Sequence, residues 1–410
     1  MSLICMRCRM SVRFGPADSL TKEVGRSVRA AGLVLGLALT SLALLVGCGS
    51  KPATKQASPA TMAARALTQF EQAVAERDAT KLHPDLSFVA DNAEALGIVD
   101  FSARWADEVR RTPRTFTGSV QVSYRLGGYD ANETRTSVDM TFTKGDQTTI
   151  TAIGDEAEST PLWLSQALGV RRSDNTLVLA VDEFAGADLD RISTQTVEAL
   201  RLVGKVIADP GSLVVEIPGS ASELDRLLSA RPGEYADVAA VAATPDGSLV
   251  PGSPVHVFIN PDVFMQMDRQ GAQVVLTHEA THVVMGALFV DLPGWLREGF
   301  ADYVAFAHAG VPVEVGAKAF LHDVRVNGLP SELPTDADLD PRAKGFATFY
   351  EASWLVCRTI AERFGEPSLV SFYRAVSDGD DPDEAMRSVL GINEVGLLQL
   401  WRADLTALVG

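Results

Sequence analysis

The apolar and polar positions between residues 60 and 155 change their period along the chain. Apolar residues recur at helical spacing from Ala60 to Arg77, and a second helical pattern covers roughly Phe101 to Arg110. Apolar and polar residues then alternate, which predicts antiparallel strands at 118–126, 135–143 and 148–153, separated by turns that contain glycine. Helices followed by a three-stranded meander indicate a small α+β domain over residues 61–165.

The second half of the chain alternates short apolar runs with helical patterns and then becomes wholly helical. The apolar runs predict strands at 177–181, 213–217, 238–243 and 255–259, with helices at 187–208 and 222–228. Further helices are predicted at 271–288, 294–308, 314–323, 345–364, 366–376, 382–389 and 393–407. A mixed sheet leading into a helical part makes the fold class α+β, with a second domain over 175–410. The first domain is similar in topology to the nuclear-transport-factor-2-like cone fold, and it serves either as a binding module or as a spacer.

The N-terminal segment has the pattern of a targeting signal. An uncharged run from Ala30 to Gly47 follows Arg26 and Arg29, which is the layout of a signal peptide over residues 1–47. The run ends at Cys48 and resembles the lipobox of bacterial lipoproteins, in which the cysteine becomes the lipidated first residue. A flexible linker is predicted over residues 48–60. The resemblance implies a lipid-anchored protein on the extracytoplasmic face of a bacterial membrane; the alternative is an uncleaved transmembrane anchor, since about 18 apolar residues can span a bilayer.

Charge and cysteine content limit the possible partners. The formal net charge is −17, and the first 47 residues hold six basic and two acidic side chains, so the rest of the chain is more acidic still. Such a surface repels phosphate backbones, and no nucleic-acid partner is expected. Cys5 and Cys8 lie in the removable segment, and Cys357 is expected as a small buried apolar residue on a helix. No disulfide framework is predicted.

The sequence from Thr277 to His282 contains the pattern HExxH on a predicted helix. His278 and His282 lie one turn apart on the same helical face, so both imidazoles can ligate one metal ion, and Glu279 projects toward the open side of that ion. A catalytic zinc site needs a third protein ligand and keeps a further position for water. The pattern therefore predicts one Zn²⁺ ion whose third ligand lies later in the sequence.

Residues 294–303, GWLREGFADY, supply that ligand by resemblance. The chain resembles the gluzincin metallopeptidases, whose HExxH helix is followed by a turn and a second helix of the form WLxEGxAxY. The resemblance implies that Glu298 is the third ligand and that Asp302 hydrogen-bonds a ligand histidine, which would fix its tautomer. An unpaired carboxylate in so apolar a helix would be costly, which supports a buried role for Glu298. A metzincin would need a third histidine shortly after His282, and residues 283–291 contain none.

The implied reaction is hydrolysis of a peptide bond. Zinc lowers the pKa of a bound water to about 7, Glu279 is the predicted general base, and a peptide or protein is the predicted substrate. In gluzincins a tyrosine or histidine well after the third ligand stabilises the oxyanion, and Tyr350 is the candidate for this second catalytic role, with packing as the alternative. His308 and His322 are weaker candidates, whereas His83 and His256 have no neighbouring candidate ligands in the sequence.

Two further segments are expected near the site, the first of them by the same resemblance. Residues 255–259 look like the edge strand that runs beside the substrate cleft. The acidic segment 331–340 lacks the spacing of a calcium loop and is expected to be a solvated loop at one rim. Two functions follow from the whole pattern. One is a membrane-tethered zinc metallopeptidase; the other is a catalytically silent peptidase fold that acts as an envelope binding or scaffold protein.

Overall fold

Two β-sheets and a helical C-terminal part make up the mixed α+β fold. The computed structural model describes residues 58–154, 159–184, 186–307, 309–339 and 345–410, and Pro59–Gly410 belong to one compact unit. The predicted signal peptide, Cys48 and nearly all of the predicted linker lie outside the described residues. The first helix begins at Pro59, inside the segment predicted as linker. The predicted α+β class is confirmed.

The N-terminal part contains a four-stranded antiparallel meander with helices packed on it. Its elements are α1 (Pro59–Glu76), α2 (Phe88–Leu96), β1 (Ile98–Arg111), β2 (Thr115–Leu126), β3 (Thr134–Thr143), β4 (Thr149–Ile153) and α3 (Leu162–Ser165). The strands follow one another in chain order, so each pairs with its neighbours in sequence. The predicted likeness to a cone fold stays a prediction.

The predicted helix over Phe101–Arg110 is wrong, because these residues lie in strand β1. Phe101, Trp105 and Val109 are four residues apart, a spacing that suits one face of a helix and also one face of a strand. Pairing along β2 and aromatic packing decide for the strand: the Trp105 ring lies 5.8 Å from Phe116 and contacts the meander's core. Three register shifts along β1 bend it around that core.

The second sheet has five strands and mixed pairing. Its elements are β5 (Leu168–Arg172), β6 (Thr176–Val181), α4 (Ala187–Val206), β7 (Leu213–Ile217), α5 (Ala221–Leu227), β8 (Ala240–Ala243), β9 (His256–Ile259) and α6 (Pro261–Phe264). The strand order is β5-β6-β7-β9-β8, with the central three strands parallel. The expectation that residues 255–259 form an edge strand is therefore wrong, because β9 lies between β7 and β8. The edge is β8, which pairs antiparallel with β9.

Helices account for nearly all of the chain after β9. They are α7 (Arg269–Met285), α8 (Gly294–Ala307), α9 (Val313–Gly316), α10 (Lys318–Asn327), α11 (Phe346–Phe364), α12 (Glu366–Ser377), α13 (Pro382–Ala385) with a following π-helical turn (Met386–Leu390), and α14 (Glu394–Val409). The single helix predicted over 314–323 is divided into α9 and α10 at Ala317. No helix within the described ranges combines the length and the apolar character that a membrane crossing requires.

The five-stranded sheet is covered on both faces, which explains its continuous apolar strands. Val178, Val215 and Val257 face a core shared with α4, α7, α8, α11 and α12. Their sequence neighbours Leu177, Val214 and Phe258 face a second core shared with the N-terminal meander. The two predicted domains thus share a core at this face of the sheet. Their division into residues 61–165 and 175–410 stays a prediction.

A buried ion cluster joins the meander to the same face of the sheet. His256 is 1% exposed; its Nδ1 lies 2.7 Å from Glu216 Oε1 on β7, and its Nε2 lies 3.1 Å from Asp130 Oδ1 in the β2–β3 turn. Burial alone would lower the pKa of His256, but the two carboxylates raise it to about 10. The prediction that His256 has no partner is wrong, because Glu216 and Asp130 both contact it. These partners are 40 and 126 residues away in sequence, so no local pattern reveals them.

Candidate metal centre

Helix α7 begins and ends with local capping interactions that set its length. The Asp268 side chain accepts a hydrogen bond from Gly271 N at 2.8 Å, and Gly286 ends the helix with φ of 60°. The turns between these caps carry His278, Glu279 and His282, and all three side chains are buried in the protein. The i and i+4 spacing places both imidazoles on one face, as predicted.

Two contacts position the first turns of helix α8, one from the acidic segment and one from α11. Asp336 Oδ1 in the acidic segment accepts a hydrogen bond from Gly294 N at 2.7 Å, so this loop contacts the start of the helix rather than being only solvated. Farther along, α11 crosses α8 at Gly299, where a Cβ atom would lie 2.3 Å from Ser353 O. Only glycine fits at this crossing, which explains the glycine that follows Glu298 in the sequence.

Three potential ligand atoms converge between α7 and α8. His278 Nε2 and His282 Nε2 are 3.0 Å apart, and Glu298 Oε2 lies 3.5 Å from the first and 3.3 Å from the second. All three residues are buried, and the group could hold a metal ion. The structure therefore brings together the three residues that the sequence predicted as ligands.

The spacing of these atoms suits a tetrahedral metal site. Ligand bonds of about 2.0–2.1 Å put neighbouring ligand atoms of a tetrahedron about 3.3 Å apart, and the three distances are 3.0, 3.3 and 3.5 Å. Glu298 Oε2 is buried and makes no hydrogen bond to any described residue. A buried carboxylate oxygen without a hydrogen bond is costly, so a cation at the centre of this group would satisfy it.

Asp302 lies where the resemblance placed it, one turn after Glu298. Its Oδ1 is 2.8 Å from His278 Nδ1. Because a carboxylate only accepts hydrogen bonds, this contact puts the proton on Nδ1 and leaves Nε2 with its lone pair toward the other ligand atoms. Burial raises the pKa of Asp302, although the nearby His278 opposes that rise.

Glu279 is fixed by the edge strand of the sheet beside the candidate metal-binding group, which consists of His278, His282 and Glu298. Glu279 Oε2 accepts a hydrogen bond from Ala242 N on β8 at 2.8 Å. Burial raises the pKa of Glu279, an effect that the two histidines and the Ala242 amide partly offset. A buried carboxylate with a raised pKa, next to a metal site but outside its ligand set, is suited to accept a proton.

The pKa of Glu298 is lowered, whereas that of Glu279 is raised. Burial would raise the pKa of the Glu298 carboxyl, but His282, His278 and Arg297 outweigh burial and hold the pKa well below its ordinary value. Arg297 Nε donates to Glu298 Oε1 at 3.0 Å. Glu298 is therefore charged, as a ligand to a divalent cation must be.

The predicted Tyr350 is buried in α11, and its part in oxyanion stabilisation stays a prediction. A tyrosine that sequence reasoning missed, Tyr373 on α12, is close enough to the site for the Glu298 carboxylate to act on it. Burial and Glu298 together raise the pKa of the Tyr373 hydroxyl, while Arg297 lowers it. Its ring packs on Phe300 at 4.5 Å. No motif in the sequence marks Tyr373, since only the packing of α12 on α8 brings it there.

The other three histidines in the described part of the chain do not join this group. His322 is exposed on α10, His83 accepts a hydrogen bond from Asp85 N at a 3₁₀ turn, and His256 belongs to the ion cluster described above. His308 lies outside the described residues. No protein-family model and no curated protein matches the chain. The metal-binding group is thus characterised by its own geometry: two imidazoles and a carboxylate converging from α7 and α8, with a further carboxylate at its side.

Proposed function

We propose that the protein is a zinc-dependent metallopeptidase that hydrolyses peptide bonds, with Glu279 as the general base. The observation that carries the proposal is the convergence of His278, His282 and Glu298 at mutual distances of 3.0–3.5 Å, with Glu279 beside them but not among them. The resemblance to gluzincins supports the same assignment through HExxH and WLxEGxAxY.

The donor set favours zinc over other divalent ions. Two imidazole nitrogens and one carboxylate oxygen suit Zn²⁺, whereas calcium and magnesium take oxygen ligands. Structural zinc sites have four protein ligands, and catalytic sites have three, which leaves a position for water. Among the described residues three converge, a number that favours a catalytic ion over a structural one.

Zinc, Glu279 and Asp302 would each have a separate role in the reaction. Bound zinc would act as a Lewis acid toward a water molecule and a substrate carbonyl. Glu279 would take the proton from that water and could pass it to the leaving amine. Asp302 would keep His278 in the ligating tautomer.

An extended peptide would lie along β8, the edge strand. Asn260 N donates to Ala239 O at 2.9 Å, so in the antiparallel register Ala240 and Ala242 direct their backbone groups away from β9. Groups directed outward from an edge strand can pair with an added strand. Because the Ala242 N–H already donates to Glu279, the substrate would pair with the outward groups of Ala240 and with the Ala242 carbonyl. We further propose that a lipid on Cys48 tethers the enzyme to the extracytoplasmic face of a bacterial membrane, as the residues before the described part suggest.

The test separates metal binding from catalysis. Protein that starts at residue 49 would be purified without chelator and assayed for zinc and for cleavage of a peptide library. Glu279→Gln is expected to retain zinc but to lose about 10²–10⁴-fold in hydrolysis, because it removes the base and leaves the ligands. His282→Ala is the matched control and is expected to lose zinc and activity together.

Two results would contradict the proposal. Hydrolysis at the wild-type rate by Glu279→Gln would exclude Glu279 as the base. Zinc in both proteins with hydrolysis in neither would favour the silent envelope scaffold, for which the metal would serve only to join α7 and α8.

A further inference from the structure

Arg297 forms an ion pair with a predicted metal ligand. Its Nε donates to Glu298 Oε1 at 3.0 Å, while Glu298 Oε2 faces the two histidine nitrogens. The two oxygens of one carboxylate thus have different neighbours, a guanidinium on one side and the ligand group on the other.

This pair differs from the arginine–carboxylate pairs on the surface. The Glu298 side chain is 4% exposed and that of Arg297 is 23% exposed, whereas Arg201 and Glu198 on α4 are 52% and 40% exposed. Exposed pairs contribute little to stability, because solvent screens them. A hydrogen bond from a guanidinium to a buried carboxylate is stronger and fixes the plane of the carboxylate.

We propose that Arg297 is a positioning residue that holds Glu298 so that only Oε2 can ligate the metal. The proposal rests on the metal site of the proposed function. With Oε1 engaged by Nε, the carboxylate cannot turn to offer both oxygens to the ion. One ligand atom rather than two from Glu298 keeps a coordination position open for water, which hydrolysis requires. The guanidinium also compensates the negative charge of the buried carboxylate when no metal is bound.

The experiment compares metal affinity among three variants of the chain from residue 49. Arg297→Gln removes the charged donor, Arg297→Lys keeps the charge without the Nε–H of the guanidinium, and Arg201→Gln is the control for loss of an exposed pair. Zinc affinity would be measured by competition with a chromophoric chelator. Loss of a group that orients a ligand typically costs 10–100-fold in metal affinity, and that loss is expected for Arg297→Gln, with a smaller loss for Arg297→Lys and none for Arg201→Gln.

Two further readouts separate positioning from a merely structural role. The rise in melting temperature on adding zinc should be smaller in Arg297→Gln than in Arg201→Gln, because the stabilisation by a bound ligand falls with its affinity. The absorption spectrum of the cobalt-substituted protein should change in Arg297→Gln, because a carboxylate that binds through both oxygens raises the coordination number.

Unchanged zinc affinity in Arg297→Gln would overturn the proposal. Increased affinity would overturn it too, because it would mean that repulsion between the guanidinium and the metal outweighs any positioning of Glu298. A zinc-induced rise in melting temperature equal to that of Arg201→Gln, with an unchanged cobalt spectrum, would overturn it in favour of a structural pair. Wild-type protein that binds zinc without hydrolysing any peptide would contradict only the proposed function, since the comparison of zinc affinities would still test the role of Arg297. Wild-type protein that takes up no zinc would overturn both.

Discussion

The crossing of α8 and α11 gives a direct test of how the proposed metal site is built. Gly299 follows the proposed ligand Glu298, and an added Cβ there would lie 2.3 Å from Ser353 O, 2.6 Å from Ser353 C and 3.0 Å from Cys357 Sγ. Ordinary contacts begin near 3.4 Å. Because two of the three atoms belong to the backbone, Gly299→Ala must move the helices apart by about 1 Å instead of turning a side chain.

The expected cost follows from two opposing effects. Overpacking a well-filled interior costs about 1–3 kcal/mol, and a clash with backbone belongs at the upper end. Alanine in a helix interior gains about 1 kcal/mol over glycine. We therefore expect Gly299→Ala to lower the free energy of unfolding by about 2 kcal/mol. Displacement of α8 should also weaken zinc binding, because Glu298 lies on the moving segment.

Gly204→Ala is the matched control, since Gly204 also lies inside a helix but is exposed. An added Cβ there would lie 3.4 Å from Pro210 Cγ, an ordinary contact. Gly204→Ala should thus stabilise the protein by up to about 1 kcal/mol. Urea unfolding of the zinc-free proteins measures both changes. If Gly299→Ala proved as stable as Gly204→Ala, the argument that helix contact requires glycine after Glu298 would be refuted.

Two further predictions concern the buried carboxylates and histidines. Asp302→Asn should lower zinc affinity about 10–100-fold, because it removes the charge that holds His278 by its Nδ1–H; a chelator competition that showed unchanged affinity would contradict this. For His256, a folded-state pKa of about 10 against an ordinary 6.5 means that the ion cluster stabilises the protein fully below pH 6.5. This stability, on the order of 5 kcal/mol at most, is lost as pH rises through 10. The unfolding free energy of His256→Gln should therefore depend less on pH between 6.5 and 10, and an unaltered pH dependence in urea titrations would exclude the proposed charge.

Local pattern was sufficient where an element's chemistry depends on residues within a few turns of one another. HExxH predicted that two imidazoles share a face of α7, and the structure places their Nε2 atoms 3.0 Å apart. The apolar periodicity predicted most helices and strands of the second half of the chain to within a few residues. The third ligand required more than spacing. Glu298 was predicted by resemblance, and the packing of α8 on α7 places its Oε2 3.5 and 3.3 Å from the two histidine Nε2 atoms.

Tertiary structure decided which elements and residues meet across long stretches of chain. A four-residue apolar spacing in Phe101–Arg110 suits both helix and strand, and only pairing with β2 selected the strand. Strand order made β8 rather than β9 the edge, since local sequence does not encode a strand's neighbours in a sheet. The partners of His256 also emerged only in the fold, because Glu216 and Asp130 lie 40 and 126 residues away in sequence. The same holds for Tyr373 and for the glycine at the helix crossing, because close packing is a property of surfaces that meet only in the folded chain.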